Sequence, residues 1–320
     1  VAQAAALVAQ GAAVTHWSRL AERGGITGLR LIAAACRLVG TRAATLLLYP
    51  AVGYFFLTGA TARRASQDYF ARLGRFAAER ATTPQPGWAT SFRHMMAFAE
   101  SALHKLAAWM GRTGSIEVRF PDRARFDALL ASGKGAMLLS AHLGNLEMSR
   151  ALFASERRVS INAVVYTDHA PAFERALMEA NPDYAVNLVH VTAIGPDTCI
   201  ELKDRIDRGE LLVIVGDRTP AAENGRVSTV DFLGAPAAFA HGPYMLAAVL
   251  ECPVYFFFCV RDGEGYRIYL EPFAERVELP RKARDAALRE YVRRYARRLE
   301  ELCLESPYQW FNFYDYWQRP

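Results

Sequence analysis

From Gly114 onward, short apolar runs of strand length alternate with stretches whose apolar residues recur every three or four positions. The runs Ile116 to Phe120, Ala136 to Ser140, Ile161 to Tyr166, Val186 to Val191, Leu211 to Val215, Val254 to Val260 and Tyr266 to Glu271 read as strands. Between them, Asp122 to Ala131, Asn145 to Ser155, Ala172 to Ala180, Asp197 to Arg208 and Gly242 to Leu250 read as helices. Such alternation predicts an α/β fold, a mixed, largely parallel sheet flanked by helices. A further helix is expected over Ala283 to Cys303, with Leu288, Val292, Tyr295, Leu299 and Leu302 on one side and arginines over much of the rest.

Ahead of this region the pattern is different. Ala65 to about Gly111 reads as helical with a break at Thr83-Pro84-Gln85-Pro86-Gly87, and His94 and His104 fall among its packing residues. Ala43 to Ala62 is an uncharged run of 20 residues between Arg42 and Arg63-Arg64. As one helix it would reach roughly 30 Å, the thickness of a bilayer core. Pro50, Gly53 and the cluster Tyr49, Tyr54, Phe55 and Phe56 suit a kinked or interfacial segment equally, and a pair of buried core helices is the alternative. Residues 1–64 are therefore expected to be an N-terminal apolar helical segment that associates with a membrane, and residues 65–320 the α/β domain. A secretory signal fits poorly, because the apolar run lies far from residue 1 and no small-residue cleavage pattern follows it.

Composition narrows the partners. Of 320 residues, 52% are hydrophobic and 22% charged, too polar for a bundle of spanning helices. The net charge of +5 favours anionic partners, namely phospholipid headgroups, an acidic carrier protein or nucleic acid. Nucleic acid is not expected, since the basic residues lie on an amphipathic helix and in no reading motif. The five cysteines have no C-x-x-C spacing and an odd count, which argues against a disulfide framework or a structural zinc site.

The segment Met137-Leu138-Leu139-Ser140-Ala141-His142-Leu143-Gly144-Asn145-Leu146-Glu147 carries the candidate chemistry: an apolar strand, then His, Gly and the start of a helix. Ligands of open α/β sheets sit at the carboxyl ends of strands, which is where His142 falls. On one continuous helix His142 and Glu147 would diverge by about 140°. Gly144 supplies the turn that would let them meet. An imidazole held by a carboxylate is a general base for a hydroxyl, and amides at the next helix start are candidates for steadying an oxyanion.

His-x4-Glu within His-Leu-Gly-Asn-Leu-Glu resembles the signature of the lysophospholipid acyltransferase superfamily, above all its lipid A late acyltransferase branch of bacterial envelope-lipid enzymes. Further blocks are similar in order: Gly209 to Arg218, a strand ending in Asp217; Phe232-Leu233-Gly234; Phe239-Ala240-His241-Gly242-Pro243 with Pro253-Val254; and Gln309-Trp310-Phe311. The resemblance runs from about Trp17 to Trp317. It implies acyl transfer from acyl carrier protein or coenzyme A thioester to a hydroxyl of a lipid or glycolipid, with His142 as base assisted by Glu147, no cofactor and no metal. Asn145, Asp217 and Arg218 are the expected substrate contacts. The place implied is the bacterial cytoplasmic (inner) membrane, with the catalytic domain facing the cytoplasm.

One departure stands out: the branch often has Arg after the Tyr closing the third strand, whereas Tyr166 is followed by Thr167-Asp168-His169. Arg218, or Arg226, is the candidate replacement for acceptor contacts. Several residues keep a plain alternative: Asn145 as a helix cap, Glu147 as a partner of the helix dipole, and Asp217 as a turn residue. The arginine-bearing helix is either a solvated face or a dock for an acidic carrier or anionic lipid. Seven of the ten residues Tyr308 to Trp317 are aromatic, which fits a core plug, an interfacial belt or an acyl-chain wall. Two competing functions remain open, a non-catalytic membrane-surface or carrier-binding protein and a metal-dependent hydrolase using His142, Glu147 and Asp217.

Overall fold

A computed structural model describes residues 26–78, 83–111, 116–149, 160–165, 187–190, 195–219 and 226–317. The chain opens with α1 (Ile26–Thr58), in effect two helices joined at Gly40, whose φ of 81° and ψ of 169° are not helical. After Gly59 the chain turns into α2 (Ala60–Ala77), and the arms Ala43–Thr58 and Ala60–Ala77 meet at 91°. The uncharged run Ala43 to Ala62 is therefore bent. Among the described residues no single helix is long and apolar enough to cross a membrane, and only this bent pair passes that test when its arms are taken together.

One side of α1, with Cys36, Ala44, Leu48 and Val52, is buried against Met96 and Leu103 of α3 (Trp88–Trp109). The other side exposes Leu31, Leu38, Leu46, Leu47, Tyr49, Tyr54 and Leu57. The helix is apolar around most of its circumference, yet the protein covers only half of it. By contrast α2 sends Tyr69, Phe70 and Leu73 into the main core. The division expected between residues 64 and 65 falls inside this helix, so no linker separates the two parts there.

Among the described residues seven strands form the main sheet, in the order β1-β9-β8-β2-β5-β3-β4. They are β1 (Val118–Arg119), β2 (Ala136–Ser140), β3 (Ile161–Val165), β4 (Asn187–His190), β5 (Leu211–Val215), β8 (Val254–Asp262) and β9 (Gly265–Ala274). All neighbours are parallel except the β8–β9 pair. Every residue of β2 is buried, as a central parallel strand covered on both faces requires. Met137 and Leu139 point into the core that also holds α5 (Pro196–Asp207), α6 (Gly242–Leu250) and α7 (Arg284–Glu305). Ala136 and Leu138 point the other way, toward Phe126 and Leu129 of α4 (Arg123–Ala131) and Ala108 of α3.

The expected strands and helices fall close to these bounds wherever the chain is described. The helix over Ala172 to Ala180 and the segment Tyr166 to His169 lie outside the described residues, and of Asn145 to Ser155 only 145–149 lies within them, helical from 146. A hairpin absent from the sequence reading is formed by β6 (Val227–Phe232) and β7 (Ala235–Ala240). Its turn has positive φ at Leu233 and Gly234, as two-residue hairpins demand. The Leu233 amide donates to Glu300 of α7 at 2.7 Å, which docks the hairpin on that helix.

Two histidines on α3, His94 buried and His104 partly buried, couple the fold to pH. His94 donates from Nε2 to the Trp310 carbonyl (3.0 Å) and accepts the Ser66 hydroxyl at Nδ1 (3.0 Å); burial pushes its pKa down to about 3. His104 is lowered to about 4, first by burial and then by the charge of Arg261. Both stay neutral in the fold while the unfolded chain protonates near 6.5, so stability is full above pH 6.5 and is lost as pH falls toward 4. Each contributes a slope of about 1.4 kcal/mol per pH unit in that window. Urea unfolding at pH 7, 6 and 5 is expected to give steadily lower stability, and equal midpoints across that range would contradict this.

Candidate active site

The register of the sheet builds the site. Ser140 pairs with Val215 at the carboxyl ends of β2 and β5, and two residues beyond each lie His142 and Asp217. The His142 imidazole donates from Nδ1 to Asp217 Oδ1 at 2.8 Å, while its backbone N–H points at both carboxylate oxygens at 3.0 Å. Trp310 Nε1 (3.1 Å) and Asn312 Nδ2 (2.8 Å) donate to Oδ2, and the Tyr316 hydroxyl donates to the Asp217 carbonyl at 2.8 Å.

Asp217 is fully buried. Burial alone would raise its pKa, but the charge and hydrogen bond of His142, then Arg218 and Asn312, outweigh it and hold the carboxyl at about 2. A carboxylate only accepts, so the imidazole proton sits on Nδ1 and the lone pair on Nε2. The His142 side chain is 29% exposed. Its pKa is lowered, first by burial and then by Arg218 and Lys105 against the opposing pull of Asp217, which keeps the ring neutral at neutral pH.

The loop after His142 is fastened on two sides. Phe311 N–H donates to the His142 carbonyl (2.7 Å), Gly144 N–H to the Gln309 carbonyl (2.9 Å) and Asn145 N–H to the Cys259 carbonyl (2.7 Å). Gly144 has φ of +73°, and a Cβ there would lie 2.1 Å from the Cys259 carbonyl oxygen. Glycine is required by both conformation and space. The Gly144 and Asn145 amides are thus already bound to carbonyls, which removes them from the oxyanion role expected of the helix start.

Glu147 is not the carboxylate on the imidazole Nδ1; Asp217 is. The turn at Gly144 carries the following helix toward α3, where Glu147 forms an ion pair with Lys105 at 2.7 Å. Asn145 also departs from its expected role as a substrate contact: it is buried and its amide donates to the Ser101 carbonyl at 2.8 Å, tying the loop to α3. Asp217, expected to touch substrate, is the orienting carboxylate. Arg218 lies beside it and donates from Nε to Asn312 Oδ1 at 3.0 Å.

Trp310 and Asn312 escaped the sequence reading as site residues. Trp310 was visible only as part of a closing block, and Asn312 carries no local signal. The aromatic stretch to which they belong is chiefly a core plug: Trp310, Phe311, Tyr314 and Tyr316 are all buried. Among the described residues no group of three or more His, Cys, Asp or Glu side chains is placed to hold a metal ion, and none of the five cysteines forms a disulfide.

A strand-end histidine on a buried aspartate beneath a Trp-x-Asn clasp narrows the chemistry to proton transfer, and sequence comparison decides the family. The profile of the bacterial lipid A biosynthesis acyltransferases matches residues 76–319, from the end of α2 through the clasp. The chain belongs to that family. Comparison with curated proteins returns no match. Membership makes acyl transfer to a lipid acceptor the general activity, within the lysophospholipid acyltransferase superfamily. The matched span includes every residue that holds His142, while nearly all of α1 and α2 lies ahead of it.

Proposed function

We propose that the protein moves a fatty acyl group from an acyl thioester, on acyl carrier protein or coenzyme A, to a hydroxyl of a lipid or glycolipid acceptor. His142 Nε2 takes the hydroxyl proton as the oxygen attacks the thioester carbonyl. The tetrahedral intermediate then expels the thiolate, which receives the proton from the imidazolium. Asp217 fixes the tautomer and steadies the positive ring in between. The observation that carries this reading is the bond from the partly exposed His142 ring to the buried Asp217, whose geometry leaves the lone pair on Nε2. No cofactor is needed, because the thioester itself supplies the activated acyl group.

The exposed apolar side of α1 supports a place at the bacterial cytoplasmic membrane, the catalytic domain on the cytoplasmic side where carrier and coenzyme A thioesters are made. Its partner α3 also touches the catalytic loop, through the Ser101 hydroxyl donating to the Gly144 carbonyl at 3.3 Å. One helix therefore joins the apolar face to the site. The test is transfer of a labelled acyl chain from acyl carrier protein and from acyl-coenzyme A into a total bacterial lipid extract. Label is expected in one lipid band with the unmodified protein and at least about 10³-fold less with His142→Ala. No transfer from either donor, or equal labelling by the mutant, would sink the proposal.

A further inference from the structure

The arginine-bearing helix has no place in the mechanism so far. Residues 281–298, the approach to α7 and most of its length, hold eight Arg and Lys against two Asp and Glu, an excess of six where the whole chain has an excess of five. The net charge of the protein is therefore gathered on one helix, and the rest of the chain is close to neutral. Three of the eight are taken up by this chain itself: Arg293 by Glu290, Arg294 by the Phe273 carbonyl, and Arg298 by Glu271 and Glu301. Arg281, Lys282, Arg284, Arg289 and Arg297 are exposed, and among the described residues their side chains form no ion pair. Arg289, Arg293 and Arg297 recur every four residues and so share one side of the helix.

A second feature adjoins this charge. Between α6 and the chain that enters α7 lies an open groove of about 630 Å³, floored by Met245, Val249, Val277 and Leu279 and rimmed by Arg281 and Arg284, with Glu278 its one acid. Val249 is 56% exposed there. An apolar floor beside arginines is the composition of the centre of a protein interface. A lipid surface fits less well, because the apolar side of α7, with Leu288, Val292, Tyr295 and Leu299, is spent in the core and has nothing to insert. The helix also covers the sheet face of Met137 and Leu139, whereas Ala108 of α3, the helix that carries α1, packs on the other face. A bilayer against the apolar side of α1 thus leaves the charge on α7 unexplained.

We propose that the exposed side of α7 and the adjoining groove dock an acidic carrier protein that bears the acyl thioester, so that the donor arrives on a protein rather than as free coenzyme A. This rests on the proposed acyl transfer. The partner must be rich in carboxylates to match five exposed cations, and it must offer an apolar side chain to cover Val249 in the groove. Charge of one sign spread along a helix steers such a partner during its approach, and the groove fixes its register. The helix is also tied to the site: the Tyr295 hydroxyl donates to the carbonyl of Ser140, two residues before His142, at 2.8 Å. A carrier lying along α7 is thereby held beside the strand that ends in the catalytic histidine.

The experiment measures binding of fluorescently labelled bacterial acyl carrier protein by anisotropy. The unmodified protein is expected to bind it, more weakly as salt rises from about 0.05 to 0.3 M. The triple variant Arg281→Glu, Arg289→Glu, Arg297→Glu is expected to raise Kd by about tenfold or more, and Val249→Asp to raise it as well, while the triple Lys variant keeps the wild-type value. Transfer from acyl-coenzyme A keeps its kcat and KM in all of them, which a damaged fold would not allow. Should the triple Glu variant fail to fold, the triple Gln variant and Val249→Asp decide the matter. The proposal is overturned if the unmodified protein does not bind the carrier, if charge reversal leaves Kd unchanged, or if reversal abolishes binding to phosphatidylglycerol vesicles and spares the carrier. Carrier bound at α7 with no transfer from either donor overturns the enzymatic reading instead, because anisotropy reads docking and not turnover.

Discussion

Asp217→Asn is expected to lower kcat/KM by about 10³- to 10⁴-fold while leaving the protein folded, the scale on which a base in the wrong tautomer fails. The side chain keeps its size, but one oxygen becomes an amide that donates. Asp217 now accepts from the His142 amide and ring, Trp310 and Asn312, and no orientation of an Asn side chain can accept all of them. The ring escapes the clash by carrying its proton on Nε2, where it cannot take one from a hydroxyl. Acyl transfer under single-turnover conditions, with circular dichroism to verify the fold, is the measurement. A loss of less than tenfold would mean that Asp217 does not set the tautomer, and a loss smaller than that of Glu147→Gln would return the orienting role to Glu147.

Gly144→Ala is expected to cost about 2 to 4 kcal/mol and to abolish transfer. The new Cβ would meet a backbone oxygen at 2.1 Å, and the positive φ adds its own strain. Cys259 lies in the middle of β8 and is held there by β9, so it cannot retreat without breaking the ladder. The loop must yield instead, and it holds His142 two residues away. Urea unfolding gives the stability change and the labelled-acyl assay the activity. An unchanged unfolding midpoint with activity retained would show that the loop has room the structure does not give it.

What could be read from the sequence was whatever is local. β2 shows as an apolar run and His142 as its polar end, because strand, glycine and helix start occupy consecutive residues. Asp217 showed as the end of a strand in a block that resembles the family's. Its role did not show, because it depends on the pairing of β2 with β5 across 75 positions of sequence. Glu147 looked like the partner because it was near in sequence, and the Gly144 turn sends it to Lys105 instead. Asn312 contributes through a contact spanning 95 positions, and nothing adjacent to it hints at an aspartate. The bend at Gly59 is of the same kind. The apolar run there gives length and hydropathy, while direction comes from Phe70 and Leu73 seeking the main core as Leu48 and Val52 seek α3.

The clasp also imposes an order in time. A ribosome makes β2 and His142 before β5 brings Asp217, and it makes β8, whose Cys259 anchors the loop, later still. Trp310 and Asn312 leave the exit tunnel after all of these, so a nascent chain, however well its sheet has formed, has an aspartate without its last two donors. The site is complete only once Asn312 has emerged, and a cut just before Gln309 that releases the rest of the chain is expected to switch it off without touching His142 or Asp217.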